Sequence, residues 1–404
     1  MDINKIIERE AEKYDSFYLY DENIIDEYTG RLKRNFPKVK FLYSVKCNSN
    51  PLVVKSVFSR GFGADAASLN EVLIAEENGL SKDEIYYSAP GKSEYDIREA
   101  VKKSTIIADS IGEIKKLQNI AEKMNIVLDI GVRINPEFSF DSFDGKPSKF
   151  GIDEEQLFEY IKNNELKNIN IVGIHVHIKS QELKIENLIS YYEKMFNLAE
   201  RFRKILNTDL KFVNMGSGIG IQFSPKDKPL DIERLGEEFN RNLEIFLEEY
   251  PNTKVFIEVG RYATGKSGRY ITKVMDKKTS YGKTYVILKN TLNGFLRPAV
   301  IKMVEKFTTE PDLICWEPLF TCSDAFEIRP LKDSSQLEKV TLVGNLCTAT
   351  DVILEDVIMP KLECEDLVEI TNAGAYAAVL SPMQFSSQEK PAELFLTVDG
   401  RILK

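Results

Sequence analysis

A chain of 404 residues is long enough for about two domains with substantial cores. Its 43% hydrophobic and 29% charged residues are ordinary for a soluble globular protein, and a formal charge of −9 argues against nucleic acid or an anionic membrane as the main partner. The five cysteines (Cys47, Cys315, Cys322, Cys347 and Cys364) are odd in number and form no CxxC pair, which suggests neither a disulfide framework nor a zinc site and reads as a reduced, cytoplasmic compartment.

The stretch Met1–Glu10 reads as a charged amphipathic helix rather than a signal sequence, and no apolar run approaches the ~20 residues of a membrane span. After it, short apolar runs alternate with amphipathic helical patterns, clearest in Leu183–Leu206 and Ile232–Tyr250. Eight strands are predicted, at about 40–45, 62–65, 84–88, 105–108, 127–134, 170–178, 211–215 and 254–258. Eight strand–helix repeats favour an α/β fold of the (β/α)8, or TIM, barrel type. A doubly wound open sheet competes, but its GxGxxG after the first strand is missing.

Beyond Gly260 the texture changes. Tyr270–Val274, Lys283–Leu288, Val340–Val343 and Leu394–Val398 alternate in the β manner, with Gly and Pro between them. A C-terminal β-rich barrel domain is expected there, joined by the N-terminal strand Phe17–Tyr20. The expected division is a barrel over 24–264, with 1–23 and 265–404 forming the second domain. The polar stretch Glu137–Lys149 reads as a mobile loop after the fifth strand.

In such a barrel, chemistry sits on the loops at the C-terminal ends of the strands. Polar residues fall at those places repeatedly: Lys46, Asp65, Ser88, Arg133, His177, Gly216 and Glu258. A lysine facing a loop-lined cavity is a candidate for Schiff-base chemistry, since burial lowers its pKa and frees the amine. The only two histidines, His175 and His177, share a strand face at i and i+2. They suit a metal, or one imidazole lying flat on an aromatic cofactor while the other packs, or two satisfied core histidines. The glycine-rich segment Val213–Gly220 after the seventh strand lets backbone N–H groups close on an anion, and Ile257–Arg261 after the eighth adds Gly260 beside the cation Arg261. Loops seven and eight are where barrels hold phosphate, so together they read as a phosphate cup. In the second domain, small residues surround Cys347, Asp351 and Tyr376. A cysteine there is either a small buried hydrophobe or a general acid near a developing carbanion.

With these residues in family order from Phe17 to Asp399, the chain resembles the fold-type III pyridoxal-phosphate (PLP) decarboxylases, which include diaminopimelate and ornithine decarboxylases. The resemblance implies an alanine-racemase-like PLP barrel with a β-domain, paired as a homodimer, with the Cys347 loop entering the partner's barrel. It makes Lys46 the lysine that holds PLP, Asp65 and Glu71 its support, and Arg133 a further cofactor-side residue. His177 becomes the imidazole stacked on the ring and Glu258 the partner of the pyridine nitrogen. Ser180, Gly216, Ser217, Gly218, Gly260, Arg261 and Tyr376 become phosphate-side contacts, and Cys347 the proton donor. Arg261, Arg297, Thr348, Asp351 and Tyr376 fall to the substrate.

Departures from the family pattern bear on the substrate. Where the family places an acid after the cysteine, to receive a distal ammonium, this chain has Thr348. Arg297–Ile301 keeps the arginine of the usual RPALY but loses its tyrosine, and Lys179 replaces the glycine of HIGSQ. Leu346–Asp351, Asn372–Tyr376 and Ser381–Phe385 resemble the biosynthetic branch that acts on a carrier-bound glutamyl group. The expected substrate is therefore a glutamate-like acid, free or tethered to an acyl carrier. Diaminopimelate decarboxylation and alanine-racemase-like chemistry are the alternatives, with a PLP carrier or a metal-dependent barrel hydrolase further off.

Overall fold

The computed structural model describes residues 2–140, 144–216, 218–311, 314, 316–332 and 334–404. The loop expected over Glu137–Lys149 therefore lies partly outside the described residues, as do Ser217 and Cys315. The chain divides into two compact units. One comprises 27–221 and 228–263, and the other 1–26, 222–227 and 264–404.

In chain order, β1 (Ser16–Asp21) belongs to the second unit and the next nine strands to the first. These are β2 (Lys40–Ser44), β3 (Gly63–Ala66), β4 (Ile85–Tyr87), β5 (Thr105–Ala108), β6 (Leu128–Asn135), β7 (Ile152–Asp153), β8 (Ile169–His175), β9 (Phe212–Asn214) and β10 (Lys254–Val259). All pairings among them are parallel, and β10 pairs with β2, β9, in turn, with β10, and β5 with β6, which closes the barrel. The eight predicted strands are β2–β6 and β8–β10, each within about two or three residues of its expected ends.

Most of the helices between them start where short polar side chains satisfy the first free N–H groups. Asn50 caps Pro51–Phe58, with proline at its first position, and Ser68 caps Leu69–Glu77. Ser93 and Asp96 form a reciprocal box at Glu94–Ala100, and Ser110 caps Ile111–Met124. Inside the barrel, Leu42, Tyr86, Ile107, Phe212 and Phe256 pack as one buried cluster. Gly131 and Gly173 make room for it, since a Cβ on Gly173 would lie 2.4 Å from the Phe212 ring. The interior is a filled core, so the strand ends carry the chemistry.

The second unit adds β11 (Gly268–Ser280), β12 (Lys283–Leu288), β13 (Ile328–Pro330), β14 (Leu337–Gly344), β15 (Val352–Pro360), β16 (Leu367–Ile370), β17 (Ala392–Leu396) and β18 (Ile402–Leu403). With β1 they form a nine-stranded mixed sheet in the order β15-β14-β12-β11-β1-β17-β18, with β16 on β11 and β13 on β16. A helix at Leu296–Phe307 lies between β12 and β13. No helix among the described residues is long and apolar enough to cross a membrane.

Candidate active site

Lys46 sits in the single turn Val45–Cys47 that follows β2 directly. Its Nζ lies 3.5 Å from Asp65 Oδ2 on β3. Asp65 is buried and fixed from both sides: Ser44 Oγ donates to Oδ2 at 2.9 Å and Ser88 Oγ to Oδ1 at 2.5 Å. The lysine is not itself buried. Its side chain is 41% exposed in the single chain. Glu71 Oε2 accepts from Ala67 N at 2.7 Å, and burial pushes its carboxyl up to about 7 against the opposing Ala67 N–H and Lys46.

Glu258, near the end of β10, is 1% exposed. His175 Nε2 lies 3.0 Å from its Oε1, and Asn214 Nδ2 donates to the same oxygen at 2.9 Å. His177 Nδ1 lies 3.4 Å from Oε2. Burial alone would raise this carboxyl, but the two imidazoles outweigh it and hold Glu258 well below the usual carboxylate range. Burial also lowers His177, against the pull of Glu258, so the pair rests as carboxylate and neutral ring at neutral pH. Both histidines thus turn to one carboxylate. Among the described residues no group of three or more His, Cys, Asp or Glu side chains is arranged to hold a metal. Arg133, buried on β6, donates to His177 O at 3.2 Å and lies 3.6 Å from Asp109 Oδ1, with its guanidinium 4.5 Å from the Phe150 ring centre.

The turn after β9 is built for close approach. Gly216 has φ +61° and a Cβ there would fall 2.1 Å from Val176 O; Gly218 has φ +153°. Asn214 Oδ1 accepts from Gly216 N at 2.9 Å, while Gly216 O accepts from Glu258 N at 2.7 Å. The N–H groups of Gly218 and Ile219 find no acceptor among the described residues. Ser180 Oγ lies 3.5 Å from His177 Nε2. Arg261 is buried and donates to Gln181 Oε1 at 3.4 Å, and a Cβ on Gly260 would come within 3.0 Å of Cys47 Sγ. Lys179 pairs with Glu182 at 2.9 Å, and Glu182 in turn bonds through its backbone to Gly218 and Gly220.

In the second unit, Cys347 is exposed on the loop between β14 and β15. Thr348 Oγ1 lies 2.9 Å from Thr350 Oγ1. Asp351, expected at the substrate, is buried with both oxygens engaged. Oδ1 accepts from Thr291 Oγ1 and from Leu292 N at 2.9 Å, and Oδ2 from Leu346 N at 3.1 Å. It holds its own loop. Arg297 is fully buried, bonded to Thr321 Oγ1 at 2.7 Å and Ala375 O at 3.4 Å, with its guanidinium 4.9 Å from the Phe326 ring centre. Tyr376 is half-buried with φ +54°. Sequence reading did not single out Asn214, although it stands directly before the glycine turn, nor did it give His175 a partner.

A lysine amine, a buried carboxylate held ionised, and two free N–H groups in a glycine cradle are the donor set that a pyridine aldehyde bearing a phosphate requires. The fold and site define a PLP-dependent barrel enzyme.

Comparison with known proteins carries this further. Residues 22–265 match the pyridoxal-binding domain of the pyridoxal-dependent decarboxylases, and the chain belongs to that family. It is 30% identical over 394 residues to the L-glutamyl-[BtrI acyl-carrier protein] decarboxylase of Niallia circulans, covering 94% of this chain and 88% of that protein. It is 28% identical over 391 residues to the diaminopimelate decarboxylase of Aquifex aeolicus, covering 94% and 86%. Among solved structures, the diaminopimelate decarboxylase of Helicobacter pylori complexed with L-lysine matches with a TM-score of 0.80 at 27% identity, over 96% of this chain and 92% of that one. The protein is a PLP-dependent carboxy-lyase.

Proposed function

We propose that this decarboxylase acts on an amino acid whose side chain carries no distal ammonium: a glutamate-like acid, or an aminoacyl group of that kind held on an acyl-carrier protein. One observation carries the reading. The Cys347 loop, where the family keeps an acid, has Thr348, and the loop's one carboxylate, Asp351, is used up by Thr291, Leu292 and Leu346. A distal ammonium buried without a partner costs several kcal/mol. The relative that acts on a glutamyl carrier protein supports the same choice.

In this reading Lys46 would hold the cofactor through its amine. Gly218 N, Ile219 N and Ser180 would bind the phosphate, assisted by Tyr376. His177 would support the ring, and Glu258 would keep a proton on the ring nitrogen. Bound there, PLP supplies the electron sink that accepts the pair released as CO2 leaves. Two chains pair as a homodimer, and Cys347 Sγ of one chain delivers a proton to the α-carbon at the barrel of the other.

The test is a CO2-release screen of the PLP-loaded enzyme over free amino acids and over carrier-tethered glutamyl groups. Turnover of the glutamyl compounds with lysine, ornithine and diaminopimelate inert is expected. Efficient diaminopimelate decarboxylation with glutamyl compounds inert overturns the reading, and shows that another acid meets the distal charge.

A further inference from the structure

We propose that His175 is a positioning residue for Glu258: its Nε2–H, with Asn214, saturates Oε1 and leaves Oε2 as the oxygen that meets the cofactor's ring nitrogen. The proposal rests on the assignment of Glu258 to that nitrogen, and its test separates the two.

The geometry is asymmetric. Oε1 accepts from the Asn214 amide at 2.9 Å and has His175 Nε2 3.0 Å away, whereas among the described residues Oε2 has His177 Nδ1, at 3.4 Å. His175 closes β8, in register with Arg133 on one side and Asn214 on the other, so its ring is fixed by two neighbouring strands. It is 1% exposed and so does not itself touch a substrate. Both ring nitrogens are buried and neither completes a hydrogen bond among the described residues, but Nε2 is the one that lies beside an acceptor, 3.0 Å from Glu258 Oε1. A single imidazole proton therefore belongs on Nε2, pointing at Glu258.

The groups that face this carboxylate are His175, His177 and Asn214, with the Tyr191 ring nearby; Lys46 and Arg133 act on it through His177. Without the His175 donor, Oε1 keeps only Asn214, and the carboxylate is freer to rotate and to take up a proton under the pressure of burial. A protonated or turned Glu258 no longer holds a proton on the ring nitrogen. A core histidine that merely packs predicts no such change, and the two accounts part there.

The first measurement uses the unaltered, cofactor-free chain. With two histidines in the whole sequence, its imidazole ¹⁵N spectrum contains two rings, assigned with His177→Gln. The Nε2–H form, or the doubly protonated ring, is expected for His175, and the Nδ1–H tautomer overturns the proposal. The second uses ring-¹⁵N-labelled PLP bound to wild type, His175→Leu, His175→Gln and Glu258→Gln. Loss of ring-nitrogen protonation in the leucine variant, with recovery in the glutamine variant whose amide N–H replaces the donor, is the expected result. Turnover should fall about 10- to 100-fold in the leucine variant, the range seen when a partner behind a functional ligand is lost. An unchanged ring-nitrogen signal in a folded, PLP-loaded His175→Leu protein overturns the proposal. An unchanged signal in Glu258→Gln overturns instead the assignment of Glu258. If His175→Leu neither folds nor loads, the tautomer on the unaltered chain decides.

Discussion

Replacing Glu71 by glutamine isolates the one carboxyl near Lys46 that burial pushes up to about 7. Glutamine keeps the shape and still accepts from Ala67 N, whose bond to Oε2 is 2.7 Å long in the native chain. A rise from 4.5 to about 7 corresponds to roughly 3 kcal/mol at ~1.4 kcal/mol per tenfold change in proton affinity. Glu71 is only partly buried, so solvent screening brings the expected effect to ~1–3 kcal/mol. The sign follows from linkage. Between 4.5 and about 7 the folded chain keeps a proton that the unfolded chain gives up, so Glu71 makes the protein less stable as pH rises through that window. Glutamine does not titrate. Urea unfolding of cofactor-free wild type and Glu71→Gln, followed on the same transition between about pH 5 and pH 8, should show the variant gaining ~1–3 kcal/mol relative to wild type as pH increases. A difference that stays flat, or that shrinks with rising pH, refutes the reasoning and means that Glu71 is ionised throughout.

Lys46→Ala should remain folded, because its side chain is 41% exposed, and should lose turnover; borohydride treatment of the wild type should fix the cofactor on the peptide containing Lys46, and labelling of another lysine would refute the assignment. Lys46→Ala and Cys347→Ala should each be nearly inactive alone; after subunit exchange half the dimers are mixed and each has one intact site, so activity should return to roughly a quarter of wild type. Failure to recover, with exchange confirmed by mass spectrometry, would mean that Cys347 does not act on the partner. Asp351→Ala leaves buried donors from Thr291, Leu292 and Leu346 unmet and should destabilise the second unit by about 3 kcal/mol or more, read as a lowered Tm. A shift near zero would show that the loop does not depend on it.

The barrel was legible in the sequence because most strands are short apolar runs followed by a polar residue, and most of the helices after them open on Asn, Ser or Asp, the long helix Ile185–Leu206 behind Lys184 excepted. The second unit was less so. β15 (Val352–Pro360) places Glu355 and Asp356 mid-strand, where alternation breaks, and β13 and β16 have only three and four residues. The helix Leu296–Phe307 was not expected; its Pro298 sits in the first turn, where the missing N–H is not needed. At the site, residue positions were readable but their electrostatic states were not. Nothing along the chain says that Asp351 and Arg297 make hydrogen bonds to Thr291 and Thr321 of their own unit. Those are properties of three-dimensional neighbours that lie 60 residues away for Thr291 and Asp351 and 24 for Arg297 and Thr321.

The contrast between Glu258 and Asp351 bears on how one scaffold serves several substrates. Glu258 is tied to the barrel by groups from β8 and β9 and through its own N–H to the glycine turn. A change at Glu258 therefore reaches groups on two neighbouring strands and the glycine turn. Asp351 ties its loop to Thr291 and Leu292, and leaves Cys347 and Thr348 on the segment between Leu346 and itself. A change at position 348 leaves the side-chain hydrogen bonds of Asp351 in place, so on the proposed reading specificity is free to drift there while Cys347 stays held. On that reading an acid at 348 would select a cationic side chain and a threonine would release that demand, with the barrel unchanged behind either choice.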